Sequence, residues 1–356
     1  MKLTKDGINA FLAFAVISLM LISSWPSTSG TSGDHSISIT GYISTWIAGV
    51  FFTSWGTNAY SEPKTTESLQ LLKEQANPSW LSIPIVWEMP NRTSNLVERS
   101  NATVSDERLI QVIQKIKLLG LKIKLHLLCD PQDGVWRAQI EPSNWTEWFD
   151  NYRKFVNYYA RIAEEYGVQM ISIGAELRST VTHENEWRDT INQTRGIYHG
   201  LLTYGANHDS SYKPGEREWD LVKWWDALDY AGIDGYFELT NKTSPTIDEL
   251  VAGWEKYRGE IQAWQAIHGK PVIMDEIGYK SEEGGSIGLM YKSGIYSSEE
   301  QSNCMEAFFR VFRHEEWVAG VFCWGWSYDP NSGGAGDLTI LLNNKPAVQI
   351  LKNWFS

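Results

Sequence analysis

From about residue 37 onward, short apolar runs alternate with longer stretches whose apolar positions recur at helical spacing. Runs of four to eight apolar residues between turn signals read as buried strands, and a three-to-four residue recurrence reads as an amphipathic helix. On this pattern strands are expected at 36–42, 80–87, 121–128, 168–177, 200–207, 230–237, 271–279 and 318–326. Helices are expected at 66–75, 105–119, 145–166, 184–195, 220–228, 247–268, 297–315 and 347–355. In the second helix Leu109, Ile113, Ile116 and Leu119 share one side and Ser105 supplies an N-cap. Gly120, Gly167 and Gly269 each stand where a helix should close.

Eight strands alternating with helices in one chain of 356 residues predict an α/β fold, a single (β/α)8 TIM barrel. The competing architecture, an open doubly wound sheet, should carry a glycine-rich phosphate turn after an early strand, and no G-x-G-x-x-G or P-loop is present. Nothing inside 37–356 reads as an interdomain linker.

The start of the chain is of a different kind. Lys2 and Lys5 precede an apolar run from Ile8 to Ile22, and a polar Ser/Thr/Gly-rich stretch follows. Residues 1–24 therefore read as a signal peptide or, in the alternative, an uncleaved membrane anchor, and 25–36 as a linker. A secreted or extracellular barrel is the expectation from either. Asn-x-Thr sequons at Asn91, Asn101, Asn144, Asn192 and Asn241 fit it.

Composition narrows the function. A net charge of −12 without clustered Lys and Arg argues against nucleic acid. Cys129, Cys304 and Cys323 make neither a disulfide scaffold nor a zinc site, and read as small buried hydrophobes. The 18 tryptophans suit a large core, and they also suit stacking on flat apolar ligand faces such as those of sugars.

The candidate chemistry lies at two strand ends. Glu176 closes strand four in ISIGAEL and Glu276 closes strand seven in PVIMDEIGY, whereas barrel active sites lie at the C-terminal ends of the strands. Strict alternation puts Val272, Met274 and Glu276 on one face and Ile273 and Asp275 on the other. On that count Glu276 is the lumen acid, and Asp275 a neighbour tied up in hydrogen bonds. Two carboxyls across one barrel mouth can serve as a neutral acid and an ionised nucleophile or base, the pair that glycoside hydrolysis requires. The alternative is that each is a salt-bridge partner at the rim.

These segments resemble the clan A glycoside hydrolases, and more specifically glycoside hydrolase family 113, β-1,4-mannanases and related enzymes. The likeness runs in order through WLSIPIVW, DPQDGVWRAQIEP, WTEWFDNY, ISIGAEL, GLLTYGANHD, WWDALDYAGIDGYF, PVIMDEIGYKS and NKPAVQIL, from about residue 39 to 355. The resemblance implies Glu176 as acid/base and Glu276 as nucleophile of a retaining double displacement, with carboxyls about 5 to 5.5 Å apart. Ala175 stands where many clan A relatives keep an Asn for the sugar 2-hydroxyl; family 113 members also lack that Asn, so another residue must hold the hydroxyl. Tyr236 matches a Tyr that hydrogen-bonds the nucleophile, and Trp324 the floor under the cleaved sugar, with Trp326 nearby. Trp87, His126 and Asn207 at the ends of strands two, three and five, and Trp136 and Arg137 in the loop after strand three, are further candidates for lining the cleft.

Two other motifs are set aside. GGSIG at 284–288 matches a serine-hydrolase elbow but sits in a loop without the strand and helix that the elbow needs. HENEW at 183–187 is not a zinc motif, and no metal-ligand cluster or cofactor is expected, although Asp130 and Asp133 could take a structural calcium. The partner is then a polysaccharide or oligosaccharide, and the sequence sets no oligomeric state. A non-catalytic carbohydrate-binding barrel, or a clan A hydrolase for another β-glycan, is the alternative reading.

Overall fold

The computed structural model describes residues 46–208 and 216–356. Eight parallel strands close into one barrel in sequence order, β1 through β8, each bonded to its neighbours and β8 back to β1. They are β1 (Ile47–Thr53), β2 (Trp80–Met89), β3 (Lys122–Pro131), β4 (Met170–Ala175), β5 (Leu201–Asn207), β6 (Ala231–Asp234), β7 (Val272–Ile277) and β8 (Val318–Ser327). The helices are α1 (Lys64–Ala76), α2 (Asp106–Leu118), α3 (Trp145–Tyr166), α4 (Glu184–Arg195), α5 (Glu218–Leu221), α6 (Ile247–His268), α7 (Ser298–Phe312) and α8 (Ala347–Phe355).

The element pattern holds with two differences. The strand expected at 36–42, like the signal or anchor segment, lies outside the described residues, and Ile47–Thr53 is the strand that closes the barrel. The run IAGVFFT is buried at every position, so it shows no alternation by which to announce itself. The helix expected at 220–228 is instead the single turn α5 and a 3₁₀ turn at Trp225–Ala227. Elsewhere the local signals act as read. Ser105 accepts from the Arg108 amide at the start of α2, Thr246 and Glu249 form a reciprocal capping box on α6, and Gly167 ends α3 at a φ of 63°.

Most of the tryptophan surplus packs the wall between barrel and helices. Trp148, Trp187, Trp219, Trp224, Trp254 and Trp326 are all fully buried. Trp187 stacks on Trp224 at 4.7 Å between centroids.

The barrel interior is layered. Ile47, Phe51, Trp80, Met170, Ile273, Ala319 and Phe322 form an apolar plug, and Val86, Leu128 and Ala175 form a second small apolar cluster. A polar group of fully buried side chains includes Lys124, His126, Ser172, Asp234 and Asp275. Lys124 Nζ lies over the Phe322 and Phe51 rings, 3.8 and 4.8 Å from their centroids, and donates to Asp275 Oδ1 at 2.6 Å. Ser172 Oγ donates to the other Asp275 oxygen at 3.2 Å. Burial alone would raise the Asp275 carboxyl, but the Lys124 charge and the donors from His126 and Lys124 outweigh it and hold it below the usual carboxylate range. Gly205 makes room for this layer, since a Cβ there would lie 2.8 Å from both carboxyl oxygens of Asp234.

Removing one member of a buried ion pair leaves an uncompensated charge and costs about 3–5 kcal/mol. Lys124→Met should therefore lower the urea unfolding free energy at neutral pH by about that amount. Lys124→Met combined with Asp275→Asn should recover most of it. A single variant within about 1 kcal/mol of the parent would show that the pair does not stabilise the barrel.

Candidate active site

Glu176 follows β4 directly. Its backbone is in the left-handed region, with a φ of 55°, a conformation that costs a non-glycine residue about 1–3 kcal/mol and persists only when neighbours hold it. The neighbours here are on β5: the Glu176 amide donates to Gly205 O at 2.8 Å, and the Leu177 amide donates to Tyr204 Oη at 2.8 Å. The carboxylate is held from two other sides. Asn207 Nδ2, at the end of β5, donates to Oε1 at 2.7 Å. Trp136 Nε1, in the loop after β3, donates to Oε2 at 3.1 Å.

Arg137 brings a charge to the same carboxylate. Its Nε and Nη2 donate to Asp130 at 2.7 and 3.0 Å, which leaves Nη1 at 3.7 Å from Glu176 Oε2. Asp130 is thus committed to an arginine, and Asp133 accepts from the Arg92 and Val135 amides. Burial raises the Glu176 carboxyl above its usual range; the Arg137 charge opposes that, the Glu276 charge adds to it, and the Trp136 and Asn207 donors oppose it. The net direction is upward.

Glu276 sits in a different setting. Tyr236 Oη, two residues beyond β6, donates to Oε2 at 2.6 Å. Burial, and then the Glu276 charge, push the Tyr236 phenol well above its usual value, so it stays a donor. His126 Nε2 lies 2.9 Å from Oε1, and its Nδ1 lies 3.5 Å from Asp275 Oδ2.

The strand alternation expected for β7 is corrected by the structure. Ile273 joins the lumen plug and Asp275 meets Lys124 and Ser172 in the lumen, while Val272 and Met274 belong to the outer core. Glu276 still reaches the mouth because pairing slips here: β6 steps from Ile233–Met274 to Asp234–Glu276, and β8 from Met274–Val321 to Ile277–Cys323. An irregularity of one residue re-aims the side chain that follows it. Asp275 is tied up in hydrogen bonds as expected, but from the lumen side.

Of the other candidates, Trp136, Arg137, Asn207 and Tyr236 gather around the two glutamates. His126 is fully buried with Nε2 close to a Glu276 oxygen, and does not line the cleft. Trp87 faces outward: it stacks on Phe155 of α3 at 5.0 Å and donates to Tyr159 Oη at 3.1 Å. Trp326 is buried and donates to Ser68 Oγ of α1 at 2.8 Å. Neither meets the site. Trp324 is half-buried, tilted on Phe51 at 4.6 Å, and joined to Gly325 by a cis peptide. Beside it, at 6.5 Å, lies Trp55, half of whose surface is exposed. Trp55 and Lys124 were not among the sequence candidates, although Trp55 stands just beyond the strand IAGVFFT. The Ser286 of GGSIG is buried and donates to Glu300 Oε1 at 2.6 Å, a loop brace.

Similarity to known proteins bears on this arrangement. The family model described as Glycoside Hydrolase Family 113 matches residues 46–335. A solved GH113 β-1,4-mannanase superposes with a TM-score of 0.76 at 26% identity, covering 87% of this chain and 98% of its own. The GH113 β-mannanase of Alicyclobacillus acidocaldarius superposes equally, at 26% identity over 87% of this chain and 97% of its own. A family 5 mannosidase from Rhizomucor miehei, at 12% identity and a TM-score of 0.60, covering 87% of this chain and 92% of its own, shares the fold. No curated protein sequence matches.

Arg137 is a lever on the Glu176 carboxyl. Since its charge opposes the upward shift, Arg137→Gln should move the Glu176 titration to still higher pH, read by carbon-detected carboxyl NMR. An unmoved or lowered titration would remove Arg137 from the electrostatics of the site.

Proposed function

Because the chain belongs to glycoside hydrolase family 113, we propose that it cleaves β-1,4-linked mannan or glucomannan by a retaining double displacement. The observation that carries this is the pair Glu176 and Glu276 at the ends of β4 and β7, close enough for the Glu276 charge to bear on Glu176, yet held by different partners. The substrate class is supported by the β-1,4-mannanases that the chain resembles along nearly its whole described length.

In this reading Glu176 begins as the neutral acid, which its raised pKa favours. It gives its proton to the glycosidic oxygen as the Glu276 carboxylate attacks the anomeric carbon. The bond to the leaving sugar breaks and a glycosyl ester forms on Glu276. Esterification removes the Glu276 charge, one of the causes that raise the Glu176 carboxyl, so Glu176 is better able to remain ionised and take a proton from water. That water attacks the anomeric carbon, releases Glu276, and returns the starting configuration. Tyr236 holds Glu276 in place for attack, and Trp324 offers its open face to the sugar ring. An exported location is part of the proposal; the basic, apolar start of the chain and its sequons support it.

The test is product analysis on mannan, glucomannan, β-glucan and manno-oligosaccharides, with Glu276→Ala as blank. Mannose-containing products with retained anomeric configuration, absent from the blank, are expected. Glu176→Ala should reduce turnover of these glycans by about 10²–10⁴-fold. Added azide should give a β-glycosyl azide with Glu176→Ala and an α-glycosyl azide with Glu276→Ala, since only the first still forms the ester. Reversed anomers would exchange the two roles, and near-normal turnover by either variant would end its assignment.

A further inference from the structure

Glu218, on the short turn α5, is a buried carboxyl that the two-step reaction leaves without a part. It has two hydrogen-bonded arms, and both lead to Glu176. On one side Tyr204 Oη donates to Glu218 Oε1 at 2.5 Å, and the same hydroxyl accepts from the Leu177 amide at 2.8 Å, the peptide that follows Glu176. On the other side the Asn207 amide donates to Glu218 Oε2 at 3.1 Å, and the Asn207 side chain donates to Glu176 Oε1 at 2.7 Å.

We propose that Glu218 is a positioning residue for the acid/base, bracing from behind both the backbone that follows Glu176 and the side chain that orients its carboxyl. This rests on the reading of Glu176 as the acid/base. The need for a brace is local. Glu176 holds a left-handed backbone conformation that its own sequence does not favour, so the Leu177 peptide must be fixed from outside. Tyr204 is suited to that, because burial, and then the Glu218 charge and hydrogen bond, push its phenol well above the usual value and keep its proton in place. The groups that bear on the Glu218 carboxyl are Tyr204 and Asn207 from β5 and Glu176 and Arg178 from the segment after β4. Burial pushes it up to about 8; the Tyr204 hydroxyl and the Asn207 amide oppose that, the Glu176 charge adds to it, and Arg178 opposes it.

The experiment compares kcat/KM, which reports the step forming the ester, on a manno-oligosaccharide and on a dinitrophenyl β-mannobioside. The first leaving group needs protonation by Glu176; the second does not. Misplacing the acid by a fraction of an ångström should cost Glu218→Gln about 10–100-fold on the oligosaccharide and leave the aryl glycoside nearly unchanged. Tyr204→Phe, which cuts one arm and keeps the ring, should show the same split in a milder form and serves if Glu218→Gln does not fold. Equal losses on both substrates, or no loss on either, would overturn the proposal and leave Glu218 a structural residue. Glu176→Ala is run alongside. If it shows the split and the Glu218 and Tyr204 variants do not, only this inference falls; if Glu176→Ala itself shows no split, the acid/base reading falls and takes this inference with it.

Discussion

The ion pair between Lys124 and Asp275, with no solvent contact on either side, is the interaction around which the barrel interior and the active site are both arranged. A closed barrel of eight strands must fill its lumen with side chains. Here the filling changes character along the axis, from the Phe51 and Phe322 plug to a layer of charge. The Lys124 ammonium joins the two, resting on aromatic faces and donating to Asp275. Charges so buried are tolerated only when paired and hydrogen-bonded; Asp275 meets that condition through Lys124 and Ser172, and Lys124 donates also to the Asp275 carbonyl. Next to it the one-residue slip of β7 turns Glu276 toward the mouth, with His126 between the two carboxylates. The nucleophile proposed for this enzyme therefore stands on a neutralised floor. Without Lys124, Asp275 would lose the largest influence that opposes the cost of burying its charge.

Asp234 shows the same constraint from the other direction. Its carboxyl is fully buried, neither oxygen has a hydrogen-bond partner among the described residues, and burial, followed by the charges of Glu276 and Asp275, raises its pKa far above the usual range. It is the acid in this layer that gives way, becoming neutral while Asp275 stays ionised. The site thus sorts its carboxyls by their surroundings: Asp275 paired and ionised, Asp234 unpaired and neutral, and Glu176 raised but steadied by an arginine and two neutral donors. A double displacement requires such sorting, because one carboxyl must carry a proton while its neighbour does not.

How far the sequence speaks to this follows from the range of the physics involved. Helix bounds such as 145–166 and 184–195 were legible because caps, glycine stops and apolar spacing are local properties. The two glutamates were legible because an acid at the end of an apolar run is conspicuous. What a strand residue faces was not. Trp87 and Trp326 end strands as Trp324 does, yet one packs on α3, another on α1, and only Trp324 is placed against the mouth. Facing depends on parity counted from the lumen, and each slip in register between neighbouring strands resets the count. That is also why the alternation expected for β7 fails: counting by twos put Asp275 outside the lumen, where the structure has it inside. Lys124 stayed out of view for a related reason. In KIKLHLL a lysine looks like the solvent side of a strand, and only closure of the sheet makes that side an interior.

The placement of Glu176 carries this one step further. The side chain comes from the end of β4, but little that fixes it is on β4. Gly205, Tyr204 and Asn207 of β5 and Trp136 of the loop after β3 hold its backbone and carboxyl. A strained left-handed residue is a poor anchor on its own, since relaxing it would release energy and move the acid. Set between two neighbouring strands of a closed sheet, it cannot relax without breaking bonds on both sides. Closure of the barrel is thus not only a means of burying apolar surface. It supplies the rigidity that lets an unfavourable backbone conformation aim a carboxyl across the mouth, and it does so with residues whose relation to Glu176 has no trace in their spacing along the chain.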